Sequence, residues 1–219
     1  MATHETARVT RSNRAALLRG IYLIVNEGER DPLELVRAAL DAGVAVVQYR
    51  AKRGIDAQRL RALRIATTER HALLIVNDDC EAAIAFDADG VHLGPDDAGF
   101  DRIAHVRATA GERLIGLSCG TASEVRAAGD ADYIGVGAVY ATASKDDAGA
   151  PIGIAGLLDV ARATHLPVAA IGGIDEGNLP AVRDSGVAMA AVISAVAAAA
   201  DPREAVRRLV RTWNERSAG

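Results

Sequence analysis

The chain has 219 residues, half of them hydrophobic and a quarter charged, with a net charge of −4. That balance is ordinary for a soluble globular protein, and it leaves no basic surface on the scale nucleic-acid binding needs. No apolar run reaches membrane-spanning length or resembles the core of a secretory signal, and two isolated cysteines make neither a disulfide framework nor a zinc site. The expected setting is therefore the cytoplasm, with no membrane or nucleic-acid partner, and a homo-oligomer is left open. Aromatic residues make up only 3% of the chain, so the core must be built from Val, Ile, Leu and Ala.

Met1 to Asn13 is polar and reads as frayed, so residues 1–19 form an N-terminal extension ahead of a domain spanning 20–219. Gly20 to Asn26 is the first predicted strand, and Asp31-Pro32 opens a helix with a capping acid and a proline at its first position. Val44 to Ala51 is strand two, followed by a helix over Ile55 to His71. Leu73 to Val76 and Val91 to Leu93 are strands three and four around a brief helix from Glu81 to Asp87. A helix over Phe100 to Ala110 precedes strand five, Arg113 to Cys119, and Thr121-Ala-Ser-Glu124 is a capping box. Strand six is expected over Tyr133 to Ala141, strand seven over Pro167 to Ile174 and strand eight over Val187 to Ala195. Helices over Ile154 to Thr164 and Glu176 to Ser185 separate them, and Asp201-Pro202 starts a final helix reaching Arg216. Strands alternating with helices, uninterrupted by a linker, call for a single α/β domain, a (β/α)8 TIM barrel. An open doubly wound sheet competes, but Asn26-Glu-Gly-Glu after strand one is not its glycine fingerprint.

In a barrel the polar residues at the strands' C-terminal ends belong together. Asn77, Asp78 and Asp79 leave strand three at the same edge as Asp96 and Asp97 leave strand four. Parallel neighbours lie about 5 Å apart, so these acids can converge on one hard cation such as Mg2+. The bland alternative is that Asp78 and Asp97 cap the helices that follow. On strand two, Val44, Val46, Gln48, Arg50 and Lys52 share one face and Ala45, Val47 and Tyr49 the other. Donors at the upper end of one face suit a multiply charged anion, Arg50 as a fork and Lys52 as a point charge. Ser118 either binds a ligand or caps a helix. Thr142, Ser144 and Lys145 lie on a polar loop, a lid or plain surface. Gly172-Gly173 and Ile193-Ser194 end strands seven and eight, where barrels often bind phosphate on backbone N–H groups. His92 reads as a satisfied interior residue rather than a base, Cys119 as a core filler, and Cys80 has no nearby histidine to activate it.

Taken in order, Val47-Gln-Tyr-Arg-Ala-Lys52, Ile75-Val-Asn-Asp78, Gly90-Val-His-Leu-Gly-Pro-Asp-Asp97, Gly116-Leu-Ser118, Thr142-Ala-Ser-Lys145, Gly172-Gly173 and Ile193-Ser194 resemble the thiamine phosphate synthase family, over nearly the whole chain. That family joins hydroxymethylpyrimidine diphosphate to a thiazole phosphate, giving thiamine phosphate and diphosphate. The resemblance implies Asp78 and Asp97 as Mg2+ ligands. It implies Gln48, Tyr49, Arg50, Lys52, Asn77, Ser118 and Lys145 around the pyrimidine diphosphate, with Arg50, Lys52, Ser118 and Lys145 acting on the departing group. It further implies Thr142, Ser144, Gly173, Ile193 and Ser194 around the thiazole phosphate. The chain departs from the family at Ala51, Gly120, Ala141 and Ser144, where Glu, His, Pro and Thr are usual. Two competing functions are a thiazole-isomerising barrel, which would need a proton-transfer residue near Ser118, and a non-catalytic barrel that senses a phosphorylated ligand.

Overall fold

A computed structural model describes residues 10–28, 30–94, 103–144 and 149–215. Eight parallel strands pair in sequence order and close on themselves: β1 (Gly20–Asn26), β2 (Val46–Arg50), β3 (Leu73–Asn77), β4 (Gly90–Leu93), β5 (Leu114–Ser118), β6 (Tyr133–Val136), β7 (Val168–Ile171) and β8 (Met189–Val192). Closure is made by β1, which runs beside both β2 and β8. The expected barrel is the observed one.

Alternation along the strands separates two apolar layers. Val47, Tyr49, Leu74, Val76, Ile115 and Leu117 point outward and pack under the helices. Tyr22, Ile24, Val46, Leu73, Ile75, Leu114, Tyr133, Ala169, Met189 and Ala191 point inward and fill the lumen. Among the described residues, two tyrosines are thus the only aromatic rings of this apolar lumen cluster, which aliphatic side chains and Met189 otherwise fill.

Among the described residues α1 (Arg11–Ala15) precedes the barrel, and α2 (Pro32–Asp41), α3 (Ala57–Glu69), α4 (Cys80–Ala85), α5 (Ile103–Ala110), α6 (Ala122–Ala127), α7 (Gly153–Ala161), α8 (Leu179–Asp184), α9 (Ser194–Ala197) and α10 (Pro202–Asn214) follow its strands. The start signals act as their chemistry requires. Asp31 accepts from the Leu33 amide beside Pro32, and Thr121 and Glu124 form the reciprocal capping box on α6. Strands six to eight are shorter than their apolar runs suggested. The chain leaves the ladder after Val136, Ile171 and Val192, yet Val139 and Ile174 stay buried beneath the loops. The four-residue α9, just after β8, had no signal of its own in an alanine-rich stretch.

Residues 10–13 also differ from expectation, because they are docked rather than frayed. Arg11 pairs with Asp132, and Arg14 Nε donates to Asp89 Oδ1 over 3.0 Å. The two aspartates are nearly buried at the lower rim of the barrel. Asp89 also accepts from Arg64 (2.6 Å) and the Leu74 amide (3.0 Å), and Asp132 accepts from Arg107 and the Ile115 amide (2.7 Å). Leu18 follows α1 into the lumen cluster. Asp132→Ala would leave the Arg107 charge with backbone carbonyls but no carboxylate, and the buried Ile115 N–H without its acceptor. A loss of about 3 kcal/mol is expected, read from the urea midpoint, since breaking one side of a buried pair typically costs 3–5. Asp132→Asn keeps an oxygen for the amide and should lose clearly less.

Candidate active site

The C-terminal ends of the strands surround a cavity of about 310 Å³. Its floor and walls are the upper inward positions of the ladder: Tyr22 and Ile24 on β1, Gln48 and Arg50 on β2, Asn77 on β3, His92 on β4, Ser118 on β5 and Gly135 on β6. The opposite wall is made of Gly172, Gly173, Ile193 and Ser194, with Thr142 and Ser144 from the loop after β6. The structure therefore brings together Gln48, Arg50, Asn77, Ser118, Thr142, Ser144, Gly173, Ile193 and Ser194.

Other expected members lie elsewhere. Tyr49 is turned outward and buried, and its hydroxyl donates to Glu27, so it does not line the cavity. The period of two that points Gln48 and Arg50 inward forces Tyr49 to the helix side. Lys52 is exposed in the turn after β2, two residues past the ladder. Asp78 is exposed at the end of β3, outside the cavity lining. Asp97 and Lys145 lie outside the described residues.

The cationic side of the cavity is Arg50. Its guanidinium makes one hydrogen bond, to Asn26 Oδ1 at 3.3 Å, and no ion pair with any described residue. A half-buried cation facing a cavity without a carboxylate partner favours an anionic ligand. The facing side is neutral and shaped by backbone. Gly172 and Gly173 have φ of +101° and +62°, and a Cβ at Gly173 would come within 2.9 Å of the Tyr140 Cβ, so only glycine fits. Asn178 Nδ2 holds the Gly173 carbonyl at 2.8 Å, and Thr142 Oγ1 accepts from the Ser144 amide at 3.1 Å.

Beneath both walls runs a feature that motif reading missed. Gln48 Nε2 donates to the Tyr22 hydroxyl (2.7 Å), and the Tyr22 and Tyr133 hydroxyls are 2.9 Å apart. The Tyr133 hydroxyl lies 3.1 Å from His92 Nδ1, and His92 Nε2 lies 3.0 Å from Ser118 Oγ. Five side chains from five strands are linked across the lumen. His92 is the bridged residue that was expected, but it also faces the cavity. Burial pushes both tyrosines well above the ordinary phenol range, against hydrogen bonds from Tyr133 and Gln48 that favour the Tyr22 phenolate, so both stay neutral.

Room for the chain is made by glycine. Gly116 pairs with His92 on one side and Tyr133 on the other. A Cβ there would come within 2.5 Å of both His92 Nδ1 and the Tyr133 oxygen, and closer still to the Tyr133 ring. Cys119 also lines the cavity, and burial, with the Glu124 charge adding, pushes its thiol up to about 11. It is a thiol at neutral pH, and burial raises Cys80 too, so neither is an activated nucleophile.

Asp78 has an unusual backbone. Its φ is +67°, the left-handed region a non-glycine residue rarely occupies, and its amide donates to the His92 carbonyl at 2.8 Å. Its hard carboxylate oxygens, open to water and next to Asn77, suit a Mg2+ that keeps several waters and takes the rest of its ligands from phosphate.

A closed parallel barrel whose mouth sets a guanidinium, with no carboxylate partner among the described residues, against a glycine-built cradle has the form of a barrel enzyme's active site suited to an anionic small molecule. A family model described as thiamine monophosphate synthase matches residues 21–196. The chain is 41% identical over 198 residues to the thiamine-phosphate synthase of Moorella thermoacetica, covering 86% of this chain and 93% of that one. It is 42% identical over 196 residues to the thiamine-phosphate synthase of Archaeoglobus fulgidus, covering 87% and 91%. The solved structure of a thiamine phosphate pyrophosphorylase from Pyrococcus furiosus superposes with a TM-score of 0.81 at 35% identity, over 90% of this chain and 96% of that one. The chain belongs to the thiamine monophosphate synthase family.

Proposed function

We propose that this barrel makes thiamine phosphate by joining hydroxymethylpyrimidine diphosphate to a thiazole phosphate. The observation that carries the reading is the division of the cavity. Arg50, without a carboxylate partner among the described residues, stands with Gln48, Asn77 and Ser118 on one side, and the Gly172-Gly173 cradle with Ser194 on the other. The diphosphate is assigned to the first wall and the thiazole phosphate to the second. In the reaction the methylene C–O bond breaks and its electron pair leaves on diphosphate, while the amino group of the pyrimidine feeds electrons to the methylene carbon. The thiazole nitrogen then donates its pair to that carbon, forming the C–N bond. No base is needed at the reacting carbon. Arg50 neutralises charge as it builds on the leaving oxygens, Ser118 donates to them, and the cradle holds the thiazole nitrogen in line. Lys52 and Lys145 are assigned to phosphoryl oxygens protruding beyond Arg50.

Mg2+ is assigned to Asp78 with Asp97, where it would polarise the diphosphate oxygens. The reading places the enzyme in the cytoplasm, with small phosphorylated molecules as its partners; no helix among the described residues is long and apolar enough to cross a membrane. His92 does lie against Ser118, where a thiazole-isomerising barrel would need a proton carrier. The polar wall of Gln48, Arg50 and Asn77 has no use in that reaction, which favours the synthase.

Kinetics of two variants test the assignment of the walls. Arg50→Ala removes a contact that strengthens as diphosphate leaves, so kcat should fall about ten- to a hundredfold, the worth of about 1.5–3 kcal/mol. The thiazole phosphate keeps its charge throughout, so Ser194→Ala should chiefly raise the KM for that substrate. The opposite pattern, Ser194→Ala losing kcat with its thiazole KM intact and Arg50→Ala altering only that KM, would reverse the two walls.

A further inference from the structure

Gln48 and Ser118 stand on β2 and β5, and three side chains join them through four hydrogen bonds of 2.7–3.1 Å. Each tyrosine hydroxyl carries one hydrogen, and a neutral imidazole carries one N–H. With the Gln48 amide donating to Tyr22, one arrangement gives every buried hydroxyl hydrogen an acceptor. Tyr22 donates to Tyr133, Tyr133 to His92 Nδ1, and His92 Nε2 to Ser118, which leaves the Ser118 hydrogen for the cavity. Turning the amide over reverses every link, so that Gln48 offers an N–H to the ligand and Ser118 only a lone pair. Such a chain has two polarities and mixes them only by leaving a buried hydroxyl hydrogen without an acceptor, and its links strengthen one another in a buried setting.

We propose that Tyr22, Tyr133 and His92 are positioning residues that couple the two ends of the cavity: a ligand N–H accepted by the Gln48 carbonyl sets the polarity in which Ser118 donates to an anion. The inference rests on the synthase reading, because an aminopyrimidine bearing a diphosphate offers both an N–H and an anion in one molecule. A ligand with an acceptor in place of that N–H selects the opposite polarity and loses the Ser118 hydrogen bond as well. Discrimination at one end is thereby felt at the other. The glycines at 116 and 135 are the structural counterpart: a Cβ at Gly135 would come within 3.2 Å of His92 Cε1, as one at Gly116 would strike both rings. The ladder has been cleared of side chains at the two positions where they would break the line.

A double-mutant cycle on the full-length enzyme tests this. kcat/KM for the pyrimidine diphosphate is measured for Gln48→Met, Ser118→Ala and the double variant, in the intact chain and again with Tyr133→Phe. Removing either end leaves the other without a fixed polarity, so the product of the single losses should exceed the double loss by about fivefold or more. With Tyr133→Phe the link is cut and the losses should multiply within about twofold, the agreement expected of independent sites. Tyr22→Phe cuts a different link and should do the same, which keeps the test open if one variant folds poorly. A purely structural tyrosine would lower the melting temperature without changing the coupling. Losses that multiply in the intact enzyme, or coupling that survives both phenylalanine variants, overturn the inference. If the unaltered enzyme forms no thiamine phosphate from the two substrates, the reading of the reaction falls, and the inference falls with it.

Discussion

Asp78→Gly will keep its fold and lose nearly all of its magnesium-dependent turnover. Aspartate at φ +67° carries backbone strain of about 1 kcal/mol or more, which glycine does not. Glycine gives back roughly 0.5–1 kcal/mol through the freedom of the unfolded chain. The side chain is exposed, so little packing is lost. The unfolding midpoint should stay within about 1 kcal/mol of the parent. If Asp78 holds Mg2+ as proposed, loss of its carboxylate should remove several kcal/mol of charge stabilisation, more than about a hundredfold in rate. Asp78→Asn tolerates the same backbone and retains one oxygen ligand, and it should fall between the two. Diphosphate release across a magnesium series measures all three. Full turnover in Asp78→Gly would reduce the residue to a strained turn without a chemical role.

Gly116→Ala should be nearly as damaging, by a route that leaves every charge in place. The added methyl would lie within 2.5 Å of His92 Nδ1 and the Tyr133 oxygen. Both rings are held between neighbouring strands, so neither can yield without moving the hydrogen bonds to Tyr22 and Ser118. Overpacking of a tight interior commonly costs 1–3 kcal/mol. A displacement of about 1 Å at the reacting groups is enough for a hundredfold loss of rate. The expected variant is folded, a few degrees less stable, and at least a hundredfold slower in kcat/KM. Near-normal activity would mean that the lumen has slack the interatomic distances do not suggest.

The barrel was legible because alternation of apolar runs with capped helices survives even in a chain this poor in aromatics. Strand ends were harder to read. Val139 and Ile174 are as buried as ladder residues although neither is in a strand, so hydrophobicity marks burial and not pairing. At the site, residues clustered at strand ends were found because polar groups there stand out against the apolar run before them. Tyr49 was misplaced by its membership of a contiguous motif, although the parity of β2 already put it on the other face. Tyr22 and Tyr133 gave no local signal. They are 111 residues apart, each reads as an ordinary strand aromatic, and only closure of the barrel brings their hydroxyls together. The pairing of glycines at 116 and 135 with a nearby tyrosine and histidine is the one trace they leave, and it becomes readable only once the register is known.

The arginines of α1 have a consequence for the order in which the chain can be assembled. Arg14 finds its aspartate 75 residues downstream, and Arg11 finds its own 121 residues downstream. During synthesis, which delivers the N-terminus first, the helix therefore meets its first aspartate on the lower rim only as β4 is about to be made, and its second only just before β6. β1 waits longer still, since its second neighbour, β8, begins at Met189. Until then the inward faces of the early strands, Tyr22 and Ile24 among them, have no opposite wall to meet. The rim is completed late and the closing seam later still, so a nascent half-barrel holds its lumen face open for most of its time on the ribosome.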